Sequence, residues 1–139
     1  MKNILFLICI TVCLFTSCKK DTAGAEINLA YQMVADKIWY LNYTQNISNT
    51  TTSAKTYVGQ ATYFIKFLSN YTTVDSDGIA GNYSIEKING ILQVHVNATT
   101  TGATNVEYIY NIETVGQDNM ILYYIKSGNT IKFFYNTSR

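Results

Sequence analysis

Residues 81–96 read GNYSIEKINGILQVHV. Tyr83 and Ile85 alternate with polar residues before Asn89-Gly90, and Leu92, Val94 and Val96 alternate after it. A spacing of two places one set of side chains on one face of a pleated strand. Asn-Gly between two such runs is a strong hairpin signal, because the tight turn needs two residues that accept positive φ. The stretch therefore predicts two antiparallel strands joined by a two-residue turn. His95, the only histidine, falls on the phase of Ile91, Gln93 and Asn97 and is expected on the more polar face.

The same period extends outward in both directions. Upstream lie WYLNYT (39–44) and QATYFIKFL (60–68), with Tyr63, Ile65 and Phe67 in phase. Downstream come VEYIYNIETV (106–115), MILYYIK (120–126) and TIKFFYNT (130–137), separated by GQDN and SGN turns. Residues 46–55 and 69–81 read as polar loop and connector, with 56–58 a possible extra strand. Proline is absent and tyrosine numbers 12, a composition that suits half-buried pleated surfaces. Sequential strands with short connections form an antiparallel up-and-down meander, and seven to eight of them close into a barrel that removes exposed edges. Ahead of them Ile27, Ala30, Tyr31, Val34 and Ile38 follow helical spacing, which predicts one short N-terminal helix over 26–36, lidding one end.

The N-terminus speaks to location. Lys2 precedes the apolar run from Ile4 to Leu14, too short for a membrane span, which needs ~20 residues. A basic start, a short apolar core and a small residue at the cut describe a signal peptide. Phe15-Thr16-Ser17-Cys18 resembles the lipobox of bacterial lipoproteins, which implies a signal peptide over 1–17 and lipidation of Cys18. The other cysteines, Cys9 and Cys13, fall inside the apolar run. The mature chain is then left with one thiol, consumed by acylation, and with no disulfide framework or cysteine metal site. Residues 18–26 read as a polar tether and 27–139 as one barrel domain. Lys19 stands where inner-membrane retention uses aspartate, so the expected location is the cell envelope, at the outer membrane.

The layout also resembles the small lipocalin-like lipoproteins of Bacteroidetes-type bacteria: a lipobox, a short helix, KIWYL (37–41) opening the first strand, the 81–96 hairpin, and IKFFYNT (131–137) at the end. The resemblance covers roughly 27–139 and implies a lipocalin-like barrel in the envelope. The Gly-x-Trp signature of lipocalins is replaced by Lys37-Ile38-Trp39.

The chain carries 10 Lys and Arg and 9 Asp and Glu; removal of Lys2 with the signal leaves 9 − 9 = 0. A neutral body without a basic cluster offers no electrostatic basis for nucleic-acid binding. Asp75-Ser76-Asp77-Gly78 reads as a turn, since an EF-hand register puts Ser84 where the bidentate glutamate belongs. Glu86, Glu107 and Glu113 fall on outward phases, and no Gly-x-Ser-x-Gly element is present, so no catalytic set is expected. No cofactor is called for. Tyrosine, an apolar ring with a polar tip, suits pockets and interfaces. The candidate ligand-binding residues are Trp39, Tyr63, Tyr83, Tyr108, Tyr110 and Tyr123, the tyrosines sharing phase with core residues. Tyr40 and Tyr124, on the opposite phase, are expected at the surface. The expected function is a non-catalytic binding module for a small apolar or amphipathic ligand, anchored to the membrane through Cys18. The alternative is a protein-interaction or structural module, an inhibitor or assembly factor in an envelope complex.

Overall fold

In a computed structural model of the protein, Asn89 and Gly90 take φ of 52° and 83°. From that turn an unbroken antiparallel ladder runs from Ile88↔Ile91 to Ala80↔Thr99. The structure describes residues 22–57, 62–99 and 105–138; the expected signal peptide over 1–17 and its expected lipidation site Cys18 lie outside them.

Among the described residues, one helix and nine strands follow in chain order: α1 (Thr22–Val34), β1 (Lys37–Ile47), β2 (Thr52–Thr56), β3 (Phe64–Phe67), β4 (Thr72–Asp75), β5 (Ala80–Ile88), β6 (Ile91–Thr99), β7 (Asn105–Val115), β8 (Asn119–Lys126) and β9 (Asn129–Asn136). All pairings are antiparallel, and β1 pairs with β9, closing β1-β3-β4-β5-β6-β7-β8-β9 into an eight-stranded barrel. The expected meander and closure are present. β2 is an additional hairpin strand on Tyr43–Ile47 of β1, and all five of its residues are exposed. Two strands, β2 and β4, occupy stretches that read as loop and connector. The helix begins four residues ahead of its predicted start, so Thr22–Glu26 is helical rather than tether.

β1 splits its partners along its length: β3 pairs with Lys37–Tyr40 and β2 with Tyr43–Ile47, while β9 takes the other edge. The change coincides with a β-bulge between Leu41 and Tyr43. An extra residue in one strand reverses the side-chain phase beyond it. Leu41 thus shares the inner face with Tyr135, whereas Tyr43 stacks outside on Phe134 at 4.1 Å.

The core is made of Trp39, Phe67, Tyr83, Val94, Val96, Ala98, Met120 and Leu122, with Ala30 and Val34 from α1. The helix lies across the barrel end where β1 begins. Tyr31 stacks on Tyr71 at 4.9 Å and donates its hydroxyl to the Ser69 carbonyl. Glu26 pairs with Lys87 at 2.6 Å. Trp39 ties strand to helix, its indole Nε1–H donating to the Val34 carbonyl at 3.0 Å. That carbonyl belongs to the last helical turn, where intrahelical partners run out. No helix among the described residues is long and apolar enough to cross a membrane.

Candidate functional site

Among the described residues, no helix covers the end opposite α1. Ile65 of β3, Thr73 and Asp75 of β4, Asp77 and Ile79 of the following turn, Val96 and Ala98 of β6, and Tyr108 and Tyr110 of β7 line a cavity of about 260 Å³ there. Thr73 is buried and its hydroxyl donates to the Lys66 carbonyl at 2.9 Å, which holds short β4 in place. The 75–79 segment is the turn its composition foretold. The Asp75 Oδ1 accepts the N–H groups of Asp77 at 2.9 Å and Ile79 at 3.0 Å, and Gly78 follows with φ of 76°.

The wall beside this cavity is open. Among the described residues, β7 pairs with β8 only from Asn111↔Tyr123 to Val115↔Met120, while Asn105–Tyr110 has β6 alone as strand neighbour and Tyr124–Lys126 has β9 alone. Where the two strands part, a cleft of about 450 Å³ forms between Glu107–Tyr110 and Tyr124–Lys126, with Phe133 at its base. Tyr108 and Tyr110 line both spaces. Behind them runs an aromatic cluster: Tyr110 meets Tyr124 at 6.0 Å and Phe133 at 5.8 Å, and Phe133 meets Tyr135 at 6.4 Å. Burial, with Tyr108, Tyr124 and Asp75 nearby, pushes the Tyr110 hydroxyl up to about 12. Burial, then Tyr110 and Asp75, raises Tyr135 further. Low dielectric and neighbouring negative charge both disfavour phenolate. These hydroxyls therefore stay protonated at neutral pH as hydrogen-bond donors.

The six candidate residues separate. Tyr108 and Tyr110 line the site, Tyr108 at its rim and 39% exposed rather than in the core. Trp39 and Tyr83 belong to the helix-plugged end. Tyr83 is buried, meets Phe67 at 4.9 Å and donates to the Leu68 carbonyl at 3.0 Å. Tyr63 is also not core. It precedes β3, is 41% exposed and packs edge-on against Tyr57 at 4.8 Å.

Tyr123 and Tyr124 exchange their expected places. Tyr123 sits opposite Lys132 and Asn111 on the outer face, and Tyr124 faces Tyr110 and Phe133. Both phases of MILYYIK are apolar, so alternation alone does not orient β8; buried Met120 and Leu122 do. Tyr40 takes the outer phase as expected, its ring edge-on to Phe64 at 6.4 Å. His95 lies on the polar face between Glu107 at 3.2 Å and Gln93 at 3.3 Å. Lining residues outside the candidate set include Thr73, Asp75, Asp77, Ile79, Ala98 and Phe133. In the sequence Asp75 and Asp77 carry a turn signal, which does not reveal that they line a cavity.

No family model matches this sequence, and no curated protein matches it.

Proposed function

We propose that the protein is an outer-membrane lipoprotein, tethered through acylated Cys18, whose barrel binds a small apolar or amphipathic molecule and carries out no chemistry on it. One observation carries the binding reading. α1 plugs one end of the barrel, while the other opens through a tyrosine-lined cavity into a cleft in the wall. Ligand sites are concave, mostly apolar and furnished with a few convergent polar groups, typically over ~300–1,000 Å³. The cleft falls in that range and the inner cavity extends it. Membrane attachment rests on the Ser17-Cys18 cut site and on the acyl chains its processing adds.

The test is a titration with N-phenyl-1-naphthylamine, a neutral apolar dye that brightens out of water. Saturable binding of one dye per chain is expected, weakened by about tenfold or more in Ala98→Phe, whose ring fills the inner cavity. Unsaturable binding, or equal binding by the variant, contradicts the assignment. For the anchor, intact mass after expression in a lipoprotein-processing host should show an acylated chain starting at Cys18, and Cys18→Ser should remain unprocessed.

A second reading, docking to another envelope protein, is favoured by the outer face of β1 and β9. There Tyr43 and Phe134 stack, with Ile121 opposite Phe134. These half-buried side chains form an apolar patch on the outside of the barrel, and apolar surface of this kind suits an interaction face.

A further inference from the structure

The inner cavity carries charge of one sign. Among the described residues, its lining includes two carboxylates, Asp75 and Asp77, and no lysine, arginine or histidine. The adjoining cleft holds one residue of each sign, Glu107 and Lys126, so it has no net preference. Asp75 is not a loose surface acid. Two backbone N–H groups of its own turn grip Oδ1, and its backbone N–H donates to the Ile79 carbonyl at 3.1 Å. The turn thus fixes the charge at the wall of an otherwise apolar and aromatic space. The Tyr110 hydroxyl, by contrast with that of Tyr83, has no hydrogen-bond partner among the described residues although it lines both spaces. No buried side-chain oxygen or nitrogen there lacks a partner, so this hydroxyl opens onto the cavity, available to a ligand.

Carboxylates in a partly dehydrated pocket attract cations more strongly than in water. Tyrosine ring faces add to this, because their quadrupole is negative above the plane. An anionic head would meet two like charges and no compensating base. The mature chain has a formal charge of 9 − 9 = 0, so no overall field of the protein supplies the same preference.

We propose that the site takes a cationic amphipath, its ammonium head beside Asp75 and Asp77 and its apolar body along Tyr108, Tyr110 and Phe133, and rejects anionic amphipaths of the same length. This rests on the binding reading above and adds the sign of the ligand.

The test is displacement of N-phenyl-1-naphthylamine from the mature protein by decyltrimethylammonium and by decyl sulfate, both below their micelle-forming concentrations. The cation is expected to displace the dye at a concentration lower by about tenfold or more. In Asp75→Asn/Asp77→Asn that ratio should fall to within about threefold of unity. Asparagine keeps the Oδ1 acceptor of the turn, and Asp77→Asn alone, at an exposed position, should lower the ratio part-way without touching the turn. Equal or stronger displacement by decyl sulfate overturns the sign while leaving ligand binding intact. A preference that survives in the double variant overturns the role of the two aspartates. Absence of dye binding in the unsubstituted protein overturns the binding reading, and this inference with it.

Discussion

Replacing Trp39 with phenylalanine tests whether α1 is a fixed plug. Trp39 is fully buried, and its indole N–H satisfies the carbonyl of Val34, itself 1% exposed. Phenylalanine removes that donor and leaves the carbonyl without it; an unsatisfied buried group costs ~1–3 kcal/mol. The smaller ring also withdraws roughly two carbon-sized groups from the core at ~0.8 kcal/mol each. Together the loss comes to about 3 kcal/mol, a large share of the ~5–15 kcal/mol that holds a domain folded. Urea unfolding followed by far-ultraviolet circular dichroism reads it directly. With a slope of ~2 kcal/mol per M, the midpoint should fall by roughly 1.5 M with the slope unchanged. A loss below about 1 kcal/mol would refute the reasoning, because neither the hydrogen bond nor the packing would then matter at this position.

Three further outcomes follow from the geometry. Gly81→Ala should destabilise by about 2 kcal/mol or more in the same assay, against the usual gain of ~0.4–1 kcal/mol for losing a glycine. Its Cβ would lie 2.2 Å from the Asn97 carbonyl oxygen and 2.8 Å from the Ala98 Cα, backbone atoms that cannot swing aside. Stability should fall at alkaline pH through Tyr83, Tyr110 and Tyr135, whose raised values mean the folded chain holds protons that the unfolded chain gives up. This contribution is intact below about pH 10 and is lost above it; Tyr110, moving from about 10 to about 12, accounts for up to about 3 kcal/mol. Urea midpoints at about pH 9 and about pH 11 check the direction. Finally, Tyr124→Ala should weaken dye binding by about fivefold or more while Tyr123→Ala leaves it within about twofold, since only Tyr124 lines the cleft.

The sequence disclosed elements wherever local chemistry decides the backbone. Asn89-Gly90 and Asp75–Gly78 were legible because few residues accept positive φ, and the turns there need it. Long alternating runs disclosed β5, β6 and β7. β4 was not legible, since four residues with Thr73 as their only buried side chain carry no apolar period. β2, wholly exposed, has no buried face to leave a pattern. The bulge at Asn42 reversed the phase of β1 without any signal from composition, placing Tyr43 outside. The site was only half readable for the same reason. Tyr108 and Tyr110 show themselves by alternation, but Thr73, Asp75 and Ile79 join them only when the barrel closes, and closure is a property of its eight strands together.

The measurement that bears most directly on an open-mouthed, helix-plugged binding barrel is an amide chemical-shift map of the isotope-labelled protein titrated with N-phenyl-1-naphthylamine. Shifts should gather on Ile65, Thr73, Ile79, Ala98, Tyr108 and Tyr110, while Ala30, Leu92 and Val115 at the plugged end stay still. Shifts centred on the plugged end, or on Tyr43, Ile121 and Phe134 of the outer face, would contradict it.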